Sequence, residues 1–231
     1  MAAVIEAKAQ RLTIREYYRL DELGLFRNRK VELLEGQVYD GIYPFEPQVH
    51  RWTVDEYRKM AESGFFAGKR VELIDGEIIE MAAMGNAHQT SVVLTGDTLR
   101  EAFGKNHFIS VQCPFEVNEI SEPEPDVAVI KGKPRDFADL PLTQAALIVE
   151  VADTSLKYDR SVKASIYAAA AVKEFWIVNL NDRRLEVHRK PIEDASQYLG
   201  YCYSEIKILT EADAIKPLAA RKEVAVADLL P

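Results

Sequence analysis

The chain has 231 residues, 48% of them hydrophobic, enough for one sizeable core or one core with an appendage, and too few for two full domains to be expected. Its 29 basic and 37 acidic residues leave a net charge of −8, which argues against tight, non-specific adsorption to nucleic acid while leaving room for cations gathered on one face. No apolar run approaches the length of about 18 residues that marks a membrane helix, and the opening MAAVIEAKAQ lacks a signal-peptide core, so a cytoplasmic location without a membrane partner is expected.

In chain order, the first feature is a repeat. Residues 11–40 and 51–80 align without a gap, and eleven of the thirty positions are identical: Arg11/Arg51, Thr13/Thr53, Glu16/Glu56, Tyr17/Tyr57, Glu22/Glu62, Gly24/Gly64, Phe26/Phe66, Val31/Val71, Glu32/Glu72, Leu33/Leu73 and Gly36/Gly76. Each copy opens with a Thr followed three residues later by a Glu, the spacing of a helix capping box. Each closes with a strand, an acidic-Gly turn and a return strand. A helix plus a hairpin is too small to fold alone, and two copies do not make a solenoid. The first copy runs into a loop with Pro44 and Pro47, whereas the second leads straight on. The predicted organisation is therefore an appendage over residues 1–50 and a main domain over 51–231.

Beyond the repeat, the pattern predicts a helix from Ala87 to Phe103 with an apolar stripe of Val92, Val93, Leu94, Leu99 and Phe103. Strands follow over 107–118, 126–131 and 145–152, then an Ala-rich helix from about Ser161 to Val172, then strands over 174–180 and 185–189. This order predicts an α/β fold. Cys113 and Cys202 stand alone, so neither a zinc site nor a disulfide framework is indicated. Trp52, Phe175 and Trp176 suit a core or an interface, because a base-stacking platform needs exposed aromatics among cations. His50, His107 and His188 fit no sequence pattern.

One residue breaks the apolar run of 145–152, and it is an acid. Glu150 is costly in a buried strand unless cations or hydrogen-bond donors compensate it. Just upstream, Asp126 opens another apolar run, Val127 to Ile130. If these two strands pair with their acids level, the carboxylates repel unless a cation lies between them. Mg²⁺ suits such a pair because it takes one or two carboxylates, keeps several waters and accepts phosphate oxygens. On the following helix Lys163 and Tyr167 lie four apart and share a face. From there the ammonium can reach the attacking water and the phenol a phosphate. Alone, Lys163 reads as an ordinary solvated lysine.

Together these positions resemble the Uma2-type proteins, also called the domain of unknown function 820 family, within the PD-(D/E)xK nuclease superfamily. The matching stretches are Val71 to Glu77, His88, Glu124 to Val129, Leu147 to Ser155, Asp159-Arg160, Lys163, Tyr167 and Glu174 to Val178. The resemblance implies a restriction-endonuclease-like fold, a central mixed sheet flanked by helices, here with the helix-hairpin unit duplicated at its N-terminus. It implies an endonuclease using Mg²⁺ or Mn²⁺, with Asp126 and Glu150 as metal ligands and Lys163 as the catalytic lysine; the mechanism expected from these residues adds the Val151 carbonyl as a further metal ligand. It also brings Glu72 near the site as a third acid and His88 near the substrate beside Tyr167. Against these stand plainer roles, a surface position on a hairpin for Glu72 and a helix cap for His88. The superfamily's usual lysine lies two residues beyond the glutamate, where this chain has Ala152, so Lys163 is read as its migrated equivalent. The expected substrate is nucleic acid, DNA above RNA, and cutting both strands suggests a homodimer. The alternative is a nuclease-fold binding or assembly module without turnover.

Overall fold

The computed structural model describes residues 8–41 and 48–231, Lys8 by its backbone only; the loop expected around Pro44 and Pro47 lies outside the described residues. The chain divides into two compact units, one of residues 8–82 with 118–123 and one of residues 83–117 with 124–231.

In the first unit, helix α1 (Ile14–Glu22) precedes the hairpin β1 (Val31–Leu34) and β2 (Gln37–Asp40), and helix α2 (Val54–Glu62) precedes the hairpin β3 (Val71–Ile74) and β4 (Glu77–Glu80). Thr13 and Thr53 cap the two helices through complete capping boxes with Glu16 and Glu56. The positions shared in sequence make shared bonds. Tyr17 and Tyr57 donate their hydroxyls to the carbonyls of Val31 and Val71, at 3.0 and 2.9 Å. Arg11 and Arg51 reach the carbonyls of Glu35 and Asp75 in the hairpin turns, at 3.0 and 2.7 Å. Both turn residues have positive φ in each hairpin, the conformation that matches strand twist. At Gly76 a Cβ would also meet the Arg51 Cβ at 2.7 Å, so only glycine fits there. One apolar core, with Leu20, Phe26, Trp52, Tyr57, Met60 and Leu73, takes residues from both stretches.

The second unit is built on helix α3 (Asn86–Phe103) and strands β5 (His107–Val111), β6 (Val127–Lys131), β7 (Leu147–Ala152), β8 (Glu174–Asn179), β9 (Arg184–Glu193) and β10 (Tyr201–Thr210). They form one sheet in the order β10-β9-β8-β7-β6-β5, parallel between β7 and β8 and antiparallel elsewhere. One face carries Val127, Val129, Leu147, Val149, Val151, Trp176 and Val178 against Val92, Leu99 and Phe103 of α3. The expected helix stripe is corrected at Val93, which is 62% exposed. Adjacent helix residues point about 100° apart, and the buried side is completed instead by Ser91, Thr95 and Gly96.

Three elements differ from expectation. The strand begun at His107 stops at Val111, because Gln112 adopts a left-handed backbone, φ 50°, ahead of Pro114. The strand expected to end at Arg189 continues to Glu193, paired with β10 except at Lys190, whose backbone is left-handed, φ 59°, and β10 is a strand the hydrophobic pattern did not reveal. The second helix starts earlier and is not uniform: residues 156–169 are helical, with Asp159–Lys163 wound as a wider π turn. Its last segment, Ala164–Ala169, is α4. No helix among the described residues is long and apolar enough to cross a membrane.

Candidate active site

Pairing of β6 with β7 runs Val129 to Leu147, Ala128 to Ile148 and Val127 to Val149, so one further step sets Asp126 level with Glu150. The junction is closed by backbone: the Asp126 amide donates to Glu150 Oε2 at 3.3 Å, and the Val151 amide donates to Asp126 Oδ2 at 2.9 Å. Alternation along β7 puts Val149 and Val151 into the apolar core and Glu150 on the opposite face. There the second helix meets it. Lys163 Nζ lies 3.0 Å from Glu150 Oε1, and the Tyr167 hydroxyl donates to the same oxygen at 2.6 Å.

The π turn is what carries this geometry. Its extra residue before the bond from the Ala164 amide to the Asp159 carbonyl leaves Asp159 and Lys163 on the same buried side. Lys163 is only 1% exposed, so it is not the solvated lysine that its sequence surroundings suggest. Tyr167, expected at a phosphate, is wholly buried and gives its hydroxyl to Glu150.

Asp126 has a second set of partners. His88, in the first turn of α3, donates Nε2 to Asp126 Oδ1 at 3.0 Å, and Gln112 Nε2 donates to the same oxygen at 3.1 Å. Burial by itself would raise the Asp126 carboxyl, but the bond and charge of His88, the Val151 amide and Gln112 outweigh it and hold the group below the usual carboxylate range. His88 is not the helix cap: that position is Gly85, and no side chain caps the helix.

Two residues of the cluster escaped sequence reading. Gln112 is brought in by its left-handed backbone, a conformation with no sequence signature outside Gly, Asn and Asp. Asp159 belongs to a stretch already matched in sequence, but its role was not visible. It is buried, accepts from Ser155 Oγ at 2.6 Å, and is pushed well above the usual carboxylate range, first by burial and then by the negative charge of Glu150. Glu72 belongs to the other unit, on β3 opposite Ile79, where it is buried and not on the hairpin surface.

The cluster therefore holds three carboxyl groups, Asp126, Glu150 and Asp159, against Lys163 and His88. Such an excess of acid is what a bound divalent cation would relieve. The donors also suit Mg²⁺ or Mn²⁺, since the two level carboxylates offer oxygen. No group of three His, Cys, Asp or Glu side chains among the described residues forms a ligand set. Two carboxylates with water, a backbone carbonyl and substrate oxygens are what Mg²⁺ takes. A cavity of about 800 Å³, lined in part by Lys131, Phe137, Ala146 and Lys173, opens at the other end of β6 and β7 and takes in none of these residues.

Comparison with known proteins agrees with this architecture. Residues 54–222 match the model of the Uma2 family, described as "Putative restriction endonuclease". The chain belongs to the Uma2 family. A solved structure from Anabaena variabilis ATCC 29413, titled a putative nuclease of domain of unknown function 820, is similar with a TM-score of 0.56 at 15% identity, covering 77% of this chain and 96% of that one. At that identity the likeness is one of fold. No curated protein matches the chain.

Proposed function

We propose that this protein is a cytoplasmic endonuclease that hydrolyses phosphodiester bonds of nucleic acid, DNA foremost, with Mg²⁺ or Mn²⁺ held by Asp126 and Glu150 and the Val151 carbonyl. The observation that carries this reading is the contact of Lys163 Nζ with Glu150 Oε1 at 3.0 Å, beside the level Asp126. Family membership supports the same reaction class. A divalent cation bound there supplies Lewis-acid chemistry, neutralising charge on the phosphodiester and favouring ionisation of water.

The chain's own residues have distinct tasks. Lys163 orients the attacking water and offsets negative charge that develops in the transition state. Tyr167 is a positioning residue, since its bond to Glu150 fixes the carboxylate. His88 and Gln112 do the same for Asp126, and both are partly exposed. Two active sites are needed to cut a duplex through, so the working form is a homodimer.

The test is a plasmid-nicking assay with Mg²⁺ or Mn²⁺ and EDTA controls. Lys163→Ala is expected to abolish cleavage while keeping metal and DNA binding, and Asp126→Ala to lose metal binding as well. Cutting retained in either variant rejects the assignment. A wild type that binds DNA and never cuts it would favour a silent binding module.

A further inference from the structure

The outer edge of the sheet is β10, ten residues long and paired only with β9 among the described residues. Its middle, Ser204 to Ile208, is exposed on both faces, with Ile206 at 58% and Ile208 at 54%. A long edge with bare isoleucines is a template for another strand, and soluble proteins ordinarily cover or shorten such an edge. We propose that a second copy of this chain covers it, β10 pairing antiparallel with the partner's β10 about a two-fold axis centred on Ile206.

The register follows from charge. A two-fold axis perpendicular to the sheet brings residues of like parity together, so the centre must fall on a residue. Centred on Glu205 the pairing sets glutamate against glutamate, and centred on Lys207 it sets lysine against lysine. Centred on Ile206 it places Glu205 opposite the partner's Lys207 twice, with Ile206 against the partner's Ile206 between them. Opposite charges directly across strands stabilise, and like charges destabilise. Within the chain Glu205 is also paired with Lys190, an exposed ion pair that leaves its carboxylate accessible.

This deepens the proposed double-strand cutting and rests on it for its purpose. The axis keeps both copies' Glu150 faces on the same side of one continuous sheet. From β7 to β10 there are three strand steps in each copy and one between copies, about 34 Å in all before twist shortens the path. Glu150 is level with Ile177, Glu186 and Ile208, two residues from the axis, which adds little. Two sites would thus face the same way about one duplex turn apart.

Sedimentation of the full chain tests the pairing without reference to cleavage. The wild type is expected to be a dimer. Lys207→Glu or Glu205→Lys alone should raise the dissociation constant roughly tenfold or more, and the double reversal Glu205→Lys/Lys207→Glu should restore it. Both positions are exposed, and circular dichroism checks each fold; if one reversal fails to fold, the other carries the test. A monomeric wild type, a dimer indifferent to the single reversals, or a double reversal that fails to recover pairing overturns the proposal. Asp126→Ala should leave the dimer unchanged, so loss of the nuclease reading and loss of this surface are told apart.

Discussion

Two buried glutamates on neighbouring strands of one sheet have opposite surroundings. Glu174, on β8, is fully buried, and its carboxylate accepts from Trp176 Nε1 at 3.0 Å, from Arg189 Nε at 2.9 Å and Nη2 at 2.5 Å, and from the Leu218 amide at 2.7 Å. It has its own guanidinium. Glu150, on β7, accepts from Lys163, Tyr167 and the Asp126 amide, but it shares its surroundings with the carboxyls of Asp126 and of Asp159, which burial and the charge of Glu150 push well above the usual carboxylate range. A saturated acid contributes to the fold, whereas an acid among acids stores electrostatic repulsion that a divalent cation can relieve. Both stand in apolar strands, so the difference lies in what the rest of the chain brings to them.

The largest expected effect separates the two directly. Glu174→Gln can keep an acceptor oxygen for Trp176 and Arg189 but turns an amide N–H₂ toward the Leu218 amide and leaves Arg189 without its counter-charge, which should cost about 3 kcal/mol or more in a urea titration. Glu150→Gln leaves the buried Lys163 ammonium without its carboxylate but also relieves repulsion from Asp126, so its cost should be smaller than that of Glu174→Gln while cleavage is lost. Equal losses of stability in the two variants would erase the distinction.

Metal should sharpen it. Mg²⁺ at about ten times its dissociation constant should stabilise the wild type by roughly 1.4 kcal/mol, read as a rise in melting temperature. Asp126→Ala should abolish that rise. A Lys131→Ala variant, at the far end of β6, should keep it.

Acid should act on fully partnered carboxylates. Burial would raise Glu56 and Glu186, but His50, Thr53 and Arg29 hold the first at about 2, and His188 and Arg160 hold the second at about 2. Both folded values lie below the unfolded value of 4.5, so their stabilisation is whole above pH 4.5 and is lost as pH falls toward 2. The urea midpoint should therefore drop through that window, and less steeply in a Glu56→Gln/Glu186→Gln double variant. The smallest effect belongs to the capping boxes: Thr13→Ala and Thr53→Ala should each cost about 1 kcal/mol and leave cleavage unchanged.

Much of the site was legible from residue type alone. A single acid in an apolar strand and another at the mouth of the next are anomalies of burial, and burial is written in hydrophobic runs. Lys163 was legible through its place on the helix after the Glu150 strand and through resemblance, since its local surroundings are those of a solvated lysine. Gln112 was not legible, because nothing in its neighbours announces a left-handed backbone. Strand β10 was missed because an edge exposed on both faces shows no clean alternation.

What the sequence by itself determined is local: capped helices, acidic-Gly turns whose backbone needs positive φ, and strands whose apolar runs demand burial. Each follows from the conformational and solvation preferences of a few adjacent residues. What only the tertiary structure decided is which charges meet. Strand register set Asp126 level with Glu150, the π turn swung Lys163 and Asp159 inward, and β9 delivered Arg189 to Glu174. Electrostatic energy depends on distance and on exclusion of water, and neither exists until residues far apart in the chain have packed together.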